Sequence, residues 1–188
     1  MECANNNLTN LNNMPENLRI LNCSCNKIKQ LDTLPLNLET LLCNYNKIKT
    51  LNKLPEYLKN LYCVGNNIIS LDNLPLNLDT LWCSENKIKK LDFLPLNLLE
   101  LDCSSNEIKN VSNLPLNLVM LICANNLIID LDNLPINLKD LDCSDNKIRD
   151  LDNIPDSLLQ IQHYNNPLKY DFEPTLENIR KNKFKNWI

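Results

Sequence analysis

Proline recurs every twenty residues without a slip, at Pro15, Pro35, Pro55, Pro75, Pro95, Pro115, Pro135 and Pro155. Cysteine keeps the same period at Cys3, Cys23, Cys43, Cys63, Cys83, Cys103, Cys123 and Cys143, and His163 takes the next place in that column. Asparagine forms a third column, from Asn6 and Asn26 through Asn146 and Asn166. A typical unit, Leu34 to Lys53, reads LPLNLETLLCNYNKIKTLNK. A fixed period of this length means a stacked repeat architecture, because one such unit cannot bury its apolar side alone. Eight proline-led units follow a truncated first one, and no insertion interrupts them before about residue 167.

The columns have physical meanings. Leu41 and Cys43 alternate with Thr40, Leu42 and Asn44, the period of a short strand. Leu34, Leu38, Leu41, Cys43, Ile48 and Leu51 are expected to point inward and meet their equivalents on neighbouring rungs. Stacking in register pairs each strand in parallel with the next, about 4.8 Å away. Proline fixes φ and removes a donor, so the return segment is expected to be extended or tightly turned. Asp32, Asp72, Asp92, Asp132 and Asp152 stand three residues before the prolines and are expected to accept hydrogen bonds from N–H groups of that turn. The asparagine amides carry both donors and acceptors, which suits a ladder between coils.

The segment LETLLCNYNKI resembles the leucine-rich-repeat signature L-x-x-L-x-L/C-x-x-N-x-L/I, which recurs through residues 18–168. The unit is similar to the shortest, twenty-residue class of such repeats, known from bacterial type III effectors. Cysteine in the strand, the abundance of asparagine and the ending NPLKYDFEPTLENIR resemble the leucine-rich-repeat proteins of giant DNA viruses. The resemblance implies a leucine-rich-repeat solenoid of the α/β horseshoe class. It would have a parallel β-sheet of short strands on one face, an extended or tightly turned convex side and a short C-terminal capping helix. It also implies a scaffold for protein binding. Effectors of this class carry further domains beside their repeats. The alternative function it implies is therefore the substrate-recognition part of a ubiquitin ligase or other effector, with the catalytic or adaptor domain outside this chain.

Two organisational units are expected: the repeat array over 1–167 and a C-terminal cap over 168–188. Pro174 is expected as the first helical residue. Leu176, Ile179, Phe184, Trp187 and Ile188 fall within about half a helical circumference, while Arg180, Lys181, Lys183 and Lys185 lie late, where the helix dipole favours cations. This is the pattern of a cap over the last rung; the alternative is a basic amphipathic peptide for a membrane or partner. At the other end the chain begins in mid-repeat. Residues 2–4 are expected to form an open parallel edge, suited to a weak homodimer, unless upstream sequence or a second chain covers it.

Composition excludes several chemistries. Gly65 is the single glycine, so glycine-rich phosphate cradles are absent. His163 is the single histidine, which excludes zinc sites needing two. A net charge of −4 gives no global attraction to nucleic acid or anionic membrane, and no apolar run approaches a membrane span. No cofactor or metal is expected. The start MECANNNLTN lacks the regions of a secretory signal, and the nine cysteines are odd in number. A reducing, cytoplasmic compartment is therefore expected, the host cytoplasm if the chain is viral.

A cysteine column spreads sulfurs along a rod instead of converging on a centre, so the column cysteines are expected to be reduced, buried small hydrophobes. Cys25 lies past its strand and is expected to be the accessible thiol. Cys143 and His163 superficially resemble a nucleophile pair, but both face the core with no cleft or oxyanion donors, so no catalytic residue is assigned. Lys27, Lys47, Lys87 and Lys147, with Lys29, Lys49, Lys89, Lys109 and Arg149, form a basic ridge beside the aspartate column. Such alternating stripes are those of a solvated surface, the alternative being an acidic partner along the ridge.

The outward strand positions read Asn22, Leu42, Tyr62, Trp82, Asp102, Ile122, Asp142 and Gln162. Their outward neighbours are small or polar: Ser24, Asn44, Val64, Ser84, Ser104, Ala124 and Ser144. Leu42, Tyr62 and Trp82, with Tyr45 beside them, are expected to form one exposed apolar patch rimmed by Glu100, Asp102, Asp140 and Asp142. Tyr and Trp dominate binding hot spots, so Leu42, Tyr45, Tyr62, Trp82, Asp102, Ile122 and Asp142 are the predicted protein-binding residues. The alternative is that large residues on adjacent strands simply pack together to stabilise the sheet.

Overall fold

The computed structural model describes residues 1–182. Eight three-residue strands form one sheet in sequence order: β1 (Ile20–Asn22), β2 (Thr40–Leu42), β3 (Asn60–Tyr62), β4 (Thr80–Trp82), β5 (Glu100–Asp102), β6 (Met120–Ile122), β7 (Asp140–Asp142) and β8 (Gln160–Gln162). Every pair is parallel and shifted by one repeat, so Leu41 sits beside Leu61 and Tyr62 beside Trp82. A further bridge joins Glu2 to Asn22, so the first residues add a partial ninth rung. One helix follows, α1 (Leu176–Asn182).

The centre of each strand from β1 to β7 is buried, as are Cys23 to Cys143 in the cysteine column, Ile28 to Ile148 and Leu31 to Leu151 with Val111 in its place. They form one continuous core along the rod. The return side has a tight turn in every unit. The carbonyl of Pro35 accepts the N–H of Leu38 at 3.2 Å, and the same bond recurs from Pro15 to Pro155. Residues 36 and 37 of such a turn are its central pair, so their side chains project into solvent. Leu36 is 78% exposed in consequence.

The asparagine column is a hydrogen-bond ladder. Asn46 Nδ2 lies 3.0 Å from the carbonyl of Cys23 on the previous rung, and 3.1 Å from each of the carbonyls of Cys43 and Asn44 on its own. Its Oδ1 accepts the N–H of Ile28 at 2.9 Å. The pattern repeats to Asn166. Buried backbone groups that the three-residue strands leave unpaired are thereby satisfied.

The structure corrects three expectations. The aspartates do not accept from their own turn. Asp92 and Asp132 accept instead from the side-chain amides of Asn113 and Asn153 one rung on, and Asp152 accepts from the Tyr170 hydroxyl. The turn closes backbone to backbone at the proline, which leaves the carboxylates free to bridge rungs. Cys3 is only partly buried, unlike the seven column cysteines after it. Pro174 is not the first helical residue; Thr175 caps the helix, its hydroxyl accepting the N–H of Asn178 at 3.2 Å.

The cap itself packs on the last rung. Ile179 is 2% exposed, and Leu168, Tyr170, Phe172 and Leu176 lie against the core. Arg180 donates to the carbonyls of Leu158 and Asp156 at 2.6 and 3.0 Å. His163 ends the cysteine column, its Nε2 lying 2.9 Å from the Pro174 carbonyl oxygen of the cap. Lys183, Phe184, Lys185, Trp187 and Ile188 lie outside the described residues.

Candidate protein-binding face

Parallel pairing in register turns one position of the repeat into a straight row of side chains about 4.8 Å apart. The third residue of each strand makes such a row, Asn22–Leu42–Tyr62–Trp82–Asp102–Ile122–Asp142–Gln162. Leu42, Tyr62, Asp102, Ile122 and Asp142 are half-buried against one another, whereas Trp82 stands at 38% exposure. Tyr62 and Trp82 meet edge to face, with centroids 5.2 Å apart and planes at 80°. The apolar residues are therefore contiguous on three rungs, and the ring pair fixes the orientation of the indole.

Tyr45 joins them through a backbone feature. It has φ +52°, and residues 5, 25, 85, 105, 125, 145 and 165 share that left-handed position in their own units. In the next unit the place belongs to Gly65, φ +65°, where an added Cβ would stand 2.4 Å from Tyr45 Cδ1. Seven other side chains tolerate the backbone here, so glycine is present because the Tyr45 ring lies over it. Tyr45 is 53% exposed.

The acidic half of the face is equally well defined. Asp102 Oδ1 accepts the Ser104 N–H at 3.0 Å and its hydroxyl at 2.7 Å, and Asp142 Oδ1 accepts the Ser144 N–H at 3.0 Å. Glu100 and Asp140 stand beside them on the first strand position, and no Lys or Arg occupies any of the eight strands. Of the smaller outward neighbours, Ser84 and Ser144 are buried, so this row lies deeper than alternation alone implies.

No reactive constellation accompanies the face. Burial pushes the thiols of Cys23 and Cys143 up to about 12, with Cys3 adding to the shift of Cys23 and Asp142 to that of Cys143. The five cysteines between them are raised well above the ordinary thiol value by the same desolvation. Cys25 is exposed, and all nine cysteines are free. Among the described residues no group of His, Cys, Asp or Glu could hold a metal ion, and no helix is long and apolar enough to cross a membrane. The lysines of the basic ridge are exposed, Lys89 lying 3.6 Å from Glu107.

Sequence reasoning passed over one surface. Leu36, Leu76, Leu96, Leu116 and Ile136, the residues that follow the prolines, are 71–78% exposed. The signal was in the column itself: Glu16, Glu56 and Asp156 share it, and a core column does not admit acids.

No family model and no curated protein sequence matches the chain. Solved structures do. YopM from Yersinia enterocolitica superposes with a TM-score of 0.84 at 34% identity, covering 93% of this chain. This chain spans 39% of that YopM chain. The leucine-rich-repeat domain of a Shigella effector gives 0.74 at 29% identity, over 88% of this chain and 77% of that domain. The functional domain of InlJ from Listeria monocytogenes, described as including a cysteine ladder, gives 0.73 at 29% identity, over 90% of this chain and 45% of that chain. The fold is that of a short-repeat leucine-rich-repeat solenoid, similar to those of these bacterial proteins.

Proposed function

We propose that the chain is a non-enzymatic protein-interaction module whose partner lies across the outer strand face, on Leu42, Tyr45, Tyr62, Trp82, Asp102, Ile122 and Asp142. One observation carries this reading: an apolar row with an exposed indole runs directly into a carboxylate-bearing half on a sheet face without a single cation. A central aromatic anchor with a polar rim is the anatomy of a binding site. The partner is a protein; nucleic acid would be repelled by the carboxylates, and no membrane-binding surface is assigned. The alternative, a substrate-recognition part of a ubiquitin ligase or other effector, uses the same face and draws on the likeness to the Shigella effector domain.

The cysteine ladder and abundance of asparagine also resemble giant-virus repeat proteins, and on that reading the module works in the host-cell cytoplasm, where thiols stay reduced.

The test is a pull-down from the native host cell with the chain and its Trp82→Ala and Tyr62→Ala variants, followed by affinity measurement on each recovered partner. Each substitution is expected to weaken binding by about 2 kcal/mol or more. Each lowers folding stability by only about 1 kcal/mol, the size of one ring pair. Partners that bind both variants as tightly as the parent would return the rings to a purely structural role.

A further inference from the structure

The stripe of turn residues is the least expected surface of the molecule. Leu76, Leu96, Leu116 and Ile136 stand on four consecutive rungs at 76%, 77%, 71% and 74% exposure. Each lies at the tip of a proline turn whose i to i+3 bond holds it outward, so the chain cannot fold them away. Three residues further on, the same rungs carry Asp79, Leu99, Val119 and Lys139, with Leu99 and Val119 43% and 37% exposed. This second row is held in step by backbone bonds from each N–H to the carbonyl before it, Leu99 to Asp79, Val119 to Leu99 and Lys139 to Val119, at 2.8–2.9 Å.

The two rows have a property that no requirement of the repeat imposes: they are self-complementary under a two-fold axis. With the axis between the Leu96 and Leu116 rungs and two rods antiparallel, Leu96 faces Leu116 of the second copy and Leu76 faces Ile136. The same operation places Leu99 opposite Val119 and Asp79 opposite Lys139. Asp79 and Lys139 form no ion pair within the chain among the described residues. They stand three rungs apart, about 14 Å at the parallel-strand spacing, too far to meet each other in one molecule. Isologous interfaces are built in this way, residue i on j and j on i.

We propose that this side of the rod is the interface of an antiparallel homodimer. The six apolar side chains expose roughly 600 Å², the size at which a patch on a soluble chain marks an interface. With the intervening Asn77, Asn97, Asn117 and Asn137 the contact approaches the ~800 Å² per partner of a stable complex. Glu56 and Asp156 follow at the two ends of the stripe and would meet across the axis in solvent, which limits the contact to four rungs. The dimer leaves the strand face and the N-terminal edge of both copies uncovered.

Sedimentation equilibrium of the full chain over a concentration series tests this. The parent is expected to dimerise. Leu96→Glu with Leu116→Glu, both at exposed turn tips, is expected to remain monomeric at every concentration with an unchanged circular dichroism spectrum. Asp79→Lys alone and Lys139→Asp alone are each expected to weaken the dimer about tenfold by opposing like charges, and the two together to restore it. The charge exchange keeps the proposal testable even where the leucine variant fails to fold. A parent that stays monomeric into the high micromolar range, a dimer that survives in the folded leucine variant, or a charge exchange that fails to restore association would each overturn it.

Discussion

Asn86 shows what one residue of the ladder contributes. Its Nδ2 lies 3.0 Å from the carbonyls of Cys63, Cys83 and Ser84, and its Oδ1 accepts the Ile68 N–H at 2.9 Å. Two protons are shared among three carbonyls, so the amide links two rungs at a point where strand pairing has already ended. Aspartate would keep the acceptor and lose the donors; alanine would lose both and leave the buried Ile68 N–H without a partner. Leaving such groups unsatisfied costs about 1–3 kcal/mol each, so Asn86→Ala is expected to destabilise the chain by about 3 kcal/mol in urea unfolding. Asn6→Ala is the control, since its side chain is exposed and bonds only within its own turn, and it is expected to cost less than about 1 kcal/mol.

At the scale of the element, one hydroxyl makes two of the bonds that tie the C-terminal segment to the last full rung. Tyr170 accepts the Leu151 N–H at 2.5 Å and donates to Asp152 at 2.8 Å, while its ring packs on Phe172 at 4.8 Å. Burial raises the phenol well above its ordinary value, so it stays a donor throughout the range in which the chain is folded. Tyr170→Phe keeps the ring and removes both bonds, and is expected to cost about 1.5 kcal/mol, with hydrogen exchange rising first at Leu151. Elements of this size divide sharply into what periodicity reveals and what it does not. The columns of Leu41, Cys43 and Ile48 could be placed inward from alternation alone, because every rung repeats the same local geometry. Partners one rung away could not. The aspartates were expected to serve their own turn, yet Asp132 serves Asn153, and Gly65 is explained only by Tyr45 on the rung before it. The strand-face row was likewise evident as a row, but the edge-to-face contact of Tyr62 with Trp82 depends on side-chain directions that spacing does not carry. The turn leucines formed no alternating pattern of their own, and only the acids in their column marked them as surface.

Over the whole molecule the cysteine column makes stability depend on pH in a way that can be signed. The ordinary thiol value is 9.0; desolvation moves Cys23 and Cys143 up to about 12 and raises Cys43, Cys63, Cys83, Cys103 and Cys123 well above that ordinary value. Above pH 9 an unfolded chain has ionised these thiols, while the folded rod still holds their protons. The unfolded state then binds fewer protons, so stability is intact below about pH 9 and falls as pH rises above it. Each thiol contributes a loss of up to about 1.4 kcal/mol per pH unit there. The seven together approach about 10 kcal/mol per unit, against a total stability of about 5–15 kcal/mol for an ordinary domain. Because each rung is stabilised by its neighbours, ionised rungs cannot open singly without exposing the core on both sides. The chain is therefore expected to unfold cooperatively within one to two units above pH 9 under reducing conditions, followed by circular dichroism at the strand band and thiolate absorbance together. Replacing two interior thiols, Cys63→Val and Cys103→Val, is expected to make the decline shallower and move the midpoint upward. A midpoint that ignores these substitutions would show that the ladder does not set alkaline unfolding.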